Sequence, residues 1–320
     1  MFRKPHCPVI AIEEHYWDEE LEKTFTGSEA GRPGEQFNRL HDFGPLRIKE
    51  MDDAGIDIQV LSHGAPSTQK LPAETAPAMA TRVNDRLAAI VAKNPTRFAG
   101  FAALPTAVPE AAADELERTA KLGFKGAMLH GLSNGEFLDD KKFWSIFARA
   151  EKLDLPIYLH PSQPHPDVIK TYYQDYVKDF PMLPRATWGY TVETATLAIR
   201  LVLSGVFEKH PKLKIILGHL GETLPFVVWR VDHTLARPGQ KSISFRDVFC
   251  NNFYVTTSGN FSNPALLCCV IEMGIDRILF AVDWPFVMNP PATKWMEGVP
   301  LCDEDKAKIL SSNAKRLLKM

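Results

Sequence analysis

The stretch VIAIEEH, residues 9–15, is an apolar, β-branched run that ends in three ionisable residues. Side chains alternate faces along a strand with period two, so Glu13 and His15 point one way and Glu14 the other. The same pattern recurs down the chain. PIYLHP (156–161) closes its apolar run on His160, KIILGHLGE (214–222) on His219 with Glu222 three residues later, and RILFAVDWP (277–285) on Asp283. Working outward from these four, β-branched runs predict eight strands, at 9–12, 58–61, 98–102, 126–129, 156–159, 213–217, 253–256 and 277–282. Amphipathic stretches bounded by Gly, Pro or Asn predict helices over 45–54, 76–94, 109–122, 141–152, 192–209, 224–235, 263–273 and 303–318. Strict alternation of strand and helix is the signature of βα units, and eight of them predict an α/β fold closed into a (β/α)8 TIM barrel. No repeat or low-complexity linker interrupts it, so residues 1–320 read as a single barrel domain. Two segments without a clear pattern, 17–43 and 162–190, are expected to be long βα-loop insertions, and loops of that length are usually functional.

Composition narrows the partners. Of 320 residues, 45% are hydrophobic and 24% charged, and 37 basic against 39 acidic residues leave a net charge of -2. This is a globular balance that argues against disorder, collagen and coiled coil. The absence of a basic excess or of any block of like charge gives no support for a nucleic-acid partner. No apolar run approaches the roughly 18 residues that span a membrane, and the N-terminal stretch lacks a signal-like run, so a cytoplasmic location is expected. The five cysteines form no CxxC pair, which favours reduced thiols over a zinc knuckle or a disulfide framework.

Enzymes on this barrel do their chemistry where strands end and βα loops begin. Glu13, His15, His160 and Asp283 all fall there. A lone strand-end histidine is more often a satisfied hydrogen-bonding residue than a ligand, but four such residues at one end of four strands make a mixed nitrogen and oxygen set suited to a divalent cation such as zinc or manganese. His219 then stands beside the ion as a proton-handling group, oriented through Glu222. His63 and His130 follow the second and fourth strands, where either can line a pocket.

These motifs, together with TSGN (257–260), WRVDH (229–233) and SNAKRL (312–317), resemble those of the amidohydrolase superfamily. The resemblance is strongest to its aminocarboxymuconate-semialdehyde decarboxylase-like branch of metal-dependent, non-oxidative aromatic acid decarboxylases, typified by γ-resorcylate and 2,3-dihydroxybenzoate decarboxylases. Hydrolases of the superfamily usually open with His-x-His, whereas this chain has Glu13-x-His15, the variant that resembles γ-resorcylate decarboxylase. The resemblance implies Glu13, His15, His160 and Asp283 as ligands of one divalent ion (zinc, manganese or magnesium). It implies His219 and Glu222 as the active-site pair, Arg230 as a pocket residue and a homodimer or homotetramer. The chain departs from the resorcylate pattern at Leu129-His130-Gly131, where Val-Asn-Gly is usual, and His63 and His130 are expected to contact substrate.

The reaction implied is loss of CO2 from a small aromatic acid carrying a hydroxyl next to its carboxylate. Direct loss leaves an in-plane carbanion that the ring cannot delocalise, so the ring carbon is expected to be protonated first, with Asp283 delivering the proton. That role calls for a raised effective pKa, which a dry pocket supplies. Tyr16, Trp188, Tyr190, Trp284 and Phe286 are candidates for an aromatic wall. The competing reading on the same scaffold is a metal-dependent hydrolase of lactones, amides or C–C bonds, with Asp283 as general base.

Overall fold

Eight apolar segments pair in parallel in a computed structural model that describes Arg3, residues 6–235 and residues 244–320. The strands are β1 (Ile10–Tyr16), β2 (Ile58–His63), β3 (Phe98–Gly100), β4 (Ala127–His130), β5 (Ile157–His160), β6 (Ile215–Leu217), β7 (Phe253–Thr256) and β8 (Ile278–Leu279). Continuous ladders run β1-β2-β3 and β4 through β8. Two parallel bridges, Ala102 with Ala127 and Glu14 with Trp284, join these arcs into a closed barrel. Closure leaves no unpaired sheet edge and brings the two ends of the chain together at β1 and β8.

Each strand divides its residues between two cores. Ile10, Ile12, Val60, Met128, Tyr158, Ile216 and Leu279 fill the interior, and Ala314, Leu317 and Leu318 of the last helix join them to plug the bottom. Their neighbours Ala11, Leu61, Leu129, Leu159 and Leu217 face the helix layer. Strict alternation from Ile12 would send Glu13 outward. The β1-β2 register slips instead, with Ala11 opposite Gln59 and Glu14 opposite Leu61, so one extra residue sits in β1. That bulge reverses the parity and turns Glu13 and His15 inward.

The expected strands and most expected helices are present, among them helices Pro45–Ala54, Ala76–Lys93 and Asn263–Met273. Helices Gly34–His41, Phe245–Asn252 and Asn289–Gly298 were not expected. The first buries only Leu40, which leaves no apolar stripe to read. The last opens Asn-Pro-Pro, a pair easily taken for a breaker although proline fits a helix's first turn. The helix expected over 303–318 splits around a π-turn at Lys308–Ser312. Among the described residues no helix is long and apolar enough to cross a membrane.

Candidate active site

At the C-terminal rim of the barrel one atom each from Glu13, His15, His160 and Asp283 lies within 4.8 Å of the other three. His160 Nε2 is 3.2 Å from Glu13 Oε1, and His15 Nε2 is 3.1 Å from Asp283 Oδ1. Glu13 Oε1, His15 Nε2 and Asp283 Oδ1 are buried and have no hydrogen-bond partner among the described residues. Leaving such atoms unpaired costs about 1–3 kcal/mol each, and more for a charged group. Three that converge are therefore the signature of a ligand set, and separations just above 3 Å match adjacent donors on an ion with bonds of about 2.1 Å.

The remaining atoms of these residues are tied down so that the converging lone pairs stay free. Glu13 Oε2 accepts from the hydroxyls of Tyr158 and Ser258, and from Thr256 Oγ1 at 3.3 Å. Gly218 allows this approach, because a Cβ there would stand 3.0 Å from the same carboxylate oxygen. His160 Nδ1–H donates to Pro161 O at 2.7 Å and faces His130 Nδ1 at 3.0 Å, while His130 Nε2–H donates to His63 O at 2.8 Å. His15 Nδ1 lies 3.3 Å from Ser62 Oγ. In both histidines Nε2 is thus the atom turned toward Glu13 and Asp283 and free to bind a cation.

Electrostatics support that assignment. Burial holds His15 below its ordinary pKa, outweighing Asp283 and Glu13, so its imidazole is neutral. Burial opposes ionisation of Glu13, but His219, His160 and His15 overcome it and keep the carboxyl below the usual range. Asp283 behaves likewise. Burial raises its pKa, yet His15 and His219 outweigh this and leave it ionised, contrary to the raised value expected for a resting proton donor. The surroundings favour the proton on His219 instead. Its Nδ1 is 2.7 Å from Glu222 Oε1, its Nε2 is 3.8 Å from Asp283 Oδ2, and although burial lowers its pKa, Glu222 and Glu13 raise it well above the ordinary value.

The cluster opens into a cavity of about 530 Å³. His160, His219, Glu222 and Asp283 form its floor, and the two patternless segments roof it with Arg32 and Gln36 from one and Met182, Arg185 and Tyr190 from the other. Tyr190 and Phe286 line the cavity as expected. Tyr16 and Trp284 are buried in the helix-layer core, and Trp188 is exposed away from the cavity lining. Arg32, whose guanidinium lies 4.7 Å from the Trp17 ring centroid, and Arg185 escaped sequence reading because nothing local distinguishes them from other loop arginines.

Three residues expected to contact substrate are absent from the lining of this cavity in the single chain. His63, 2% exposed, does not line the cavity. Period two places Ser62 inward with Val60 and sends His63 outward, where its Nδ1–H donates to Gly64 O and its Nε2 accepts Asp18 N–H. His130, 1% exposed, sits behind His160 and touches that side chain, and is absent from the cavity lining. Arg230 is exposed on helix Leu224–Thr234 and is absent from the cavity lining.

Residues 10–320 match the amidohydrolase family over almost the whole chain. This chain belongs to the amidohydrolase family. Among its relatives is the γ-resorcylate decarboxylase of Polaromonas sp. strain JS666, 41% identical over 97% of this chain and 98% of that protein. A dihydroxybenzoic acid decarboxylase from the same strain, solved with bound manganese and the inhibitor 2-nitroresorcinol, superposes with a TM-score of 0.89 at 41% identity, covering 98% of this chain and 97% of that one. A 2,6-dihydroxybenzoate decarboxylase in complex with 2,6-dihydroxybenzoate gives 0.88 at 39% identity, covering 98% and 100%. The family fold is thus shared from the bulged first strand to the C-terminal plug.

Proposed function

We propose that this amidohydrolase-family chain is a metal-dependent, non-oxidative decarboxylase of a hydroxybenzoate whose hydroxyl lies next to the carboxylate. The observation that carries the reading is the set of buried, unpartnered atoms of Glu13, His15 and Asp283, joined by His160, at the floor of a cavity with ample room for a small aromatic acid. Glu13, His15, His160 and Asp283 would hold one divalent ion, manganese by likeness to the solved relative. Bound there, the ion supplies a Lewis acid for the carboxylate and the ionised hydroxyl. Every other contribution comes from the chain. Tyr190 and Phe286 enclose the ring and exclude water, and Arg32 and Arg185 supply positive charge at the mouth. His219, held by Glu222, stores the proton at Nε2 and passes it to Asp283, which delivers it to the ring carbon bearing the carboxylate. Cleavage of the C–C bond returns the electron pair to the ring, restores aromaticity and releases CO2.

The experiment is to incubate manganese-loaded protein with 2,6-dihydroxybenzoate and other ortho-hydroxybenzoates, following the ultraviolet spectrum and CO2. Loss of CO2 with the matching phenol as product is the expected result. Turnover of lactones with no decarboxylation of any aryl acid would establish the hydrolase instead.

Phe226, Trp229 and Ile271 are largely exposed on two adjacent outer helices, and Arg230 lies beside them. A homodimer or homotetramer built through this face would cover them, and Arg230 would then meet substrate only in a neighbouring copy's cavity. A solution mass of one chain at micromolar concentration would exclude that assembly.

A further inference from the structure

Glu14 lies between Glu13 and His15 in sequence, yet it points away from both of their side chains and takes no part in the chemistry above. It is fully buried. Burying a carboxyl group is costly unless its oxygens are matched, and here both are spent on one target. Oε1 accepts Val282 N–H at 2.9 Å and Oε2 accepts Trp284 N–H at 3.2 Å. These are the amides on either side of Asp283, whose own N–H donates to Glu13 O at 3.0 Å.

Three consecutive amides are therefore anchored by residues 13 and 14, in a segment past the end of β8 at Leu279 that a single parallel bridge, Glu14 with Trp284, joins to β1. The anchoring has strain to oppose. Asp283 has a φ of +76°, a region that an L residue occupies at a cost of about 1–3 kcal/mol. It also has an alignment to keep, since Oδ1 must face His15 Nε2 while Oδ2 faces His219 Nε2.

Arg47 braces the clamp from behind. It is 1% exposed on helix Pro45–Ala54, and its guanidinium stands 4.0 Å from the Trp284 ring centroid. Nη2 donates to His15 O at 2.7 Å, and Nη1 donates to Gln59 Oε1 at 3.2 Å. Gln59 Nε2 in turn reaches Glu14 Oε2 at 3.5 Å. The outward face of β1 thus ties the backbones of two candidate ligand residues, His15 and Asp283, to one buried chain of hydrogen bonds running Arg47–Gln59–Glu14.

We propose that Glu14 is a positioning residue whose carboxyl group clamps the amides flanking Asp283 and so fixes the direction of the Asp283 carboxylate toward His15 and the cavity. What Asp283 does there rests on the decarboxylase reading; what Glu14 holds rests on the geometry alone. Glu14→Gln keeps the shape but replaces one acceptor with an NH2 group, so one of the two amides loses its partner. In the manganese-loaded protein, kcat for 2,6-dihydroxybenzoate is expected to fall about 10- to 100-fold with KM changed less than about twofold, the scale seen when groups behind metal ligands are removed. The electron paramagnetic resonance line shape of the bound manganese is expected to differ from that of the parent protein. Parent kcat and an unchanged line shape, with or without a lower Tm, would reduce Glu14 to a structural residue and overturn the proposal. If the parent protein releases no CO2, the decarboxylase reading fails while the resonance comparison still decides the clamp. Should Glu14→Gln not fold, Gln59→Leu removes the amide beside Oε2 and leaves every backbone anchor in place. A fall in kcat of a few-fold at unchanged KM supports the clamp, and parent kcat overturns it.

Discussion

On the proposed reading Asp283 carries two duties on one carboxylate, with Oδ1 toward His15 and Oδ2 toward His219. Asp283→Asn is therefore expected to bind manganese weakly and to lose at least about 10³-fold in turnover, measured by CO2 release at saturating metal. His219→Ala should separate the two duties. Metal content by elemental analysis is expected to stay near one equivalent while kcat drops by about 10²-fold or more, and stoichiometric loss of metal would make His219 a ligand instead. His63 serves the fold, and its contribution has a sign. Burial pushes its pKa down to about 4 from an ordinary 6.5, so between those values the unfolded chain holds a proton that the folded chain rejects. Stability is unaffected by His63 above pH 6.5 and declines as pH falls toward 4, by up to about 1.4 kcal/mol per pH unit for this one group. Urea unfolding of His63→Gln between pH 7 and 4 is expected to show a shallower decline than the parent protein.

Among elements, β1 decides whether there is a site at all. Its bulge turns Glu13 inward, and Gly218 at the end of β6 leaves the space its carboxylate needs. Gly218→Ala puts a methyl 3.0 Å from Glu13 Oε2 and is expected to weaken manganese binding at least about tenfold, read by titration, with the far-ultraviolet circular dichroism unchanged. The strands and the four converging residues were legible in the sequence because an apolar run ending in one ionisable residue is a local pattern, and closing a barrel collects such ends. The bulge was not, because parity depends on how β1 registers against β2, a relation between distant residues. Tyr158, Thr256 and Ser258 share the inward parity of their strands and could have been picked out by that signal, but nothing local says that their hydroxyls meet Glu13. The same period-two rule applied to β2 would have put Ser62 inward and kept His63 out of the pocket. Arg32 and Arg185 reach the cavity through insertions with no periodicity, where sequence spacing carries no information about direction.

Across the whole molecule, residues more than 250 positions apart meet because the barrel closes β1 against β8, and the ion would tie that closure together from inside. Metal that binds the folded chain alone stabilises it by mass action, about 2.7 kcal/mol at a hundredfold excess over Kd. The most direct test is to strip the protein with chelator, titrate it with manganese, and follow bound metal and CO2 release from 2,6-dihydroxybenzoate in the same samples. Activity rising in step with occupancy and levelling at one manganese per chain is the expected result. A fully loaded chain that releases no CO2, or a chain that binds no manganese at all, would contradict the account.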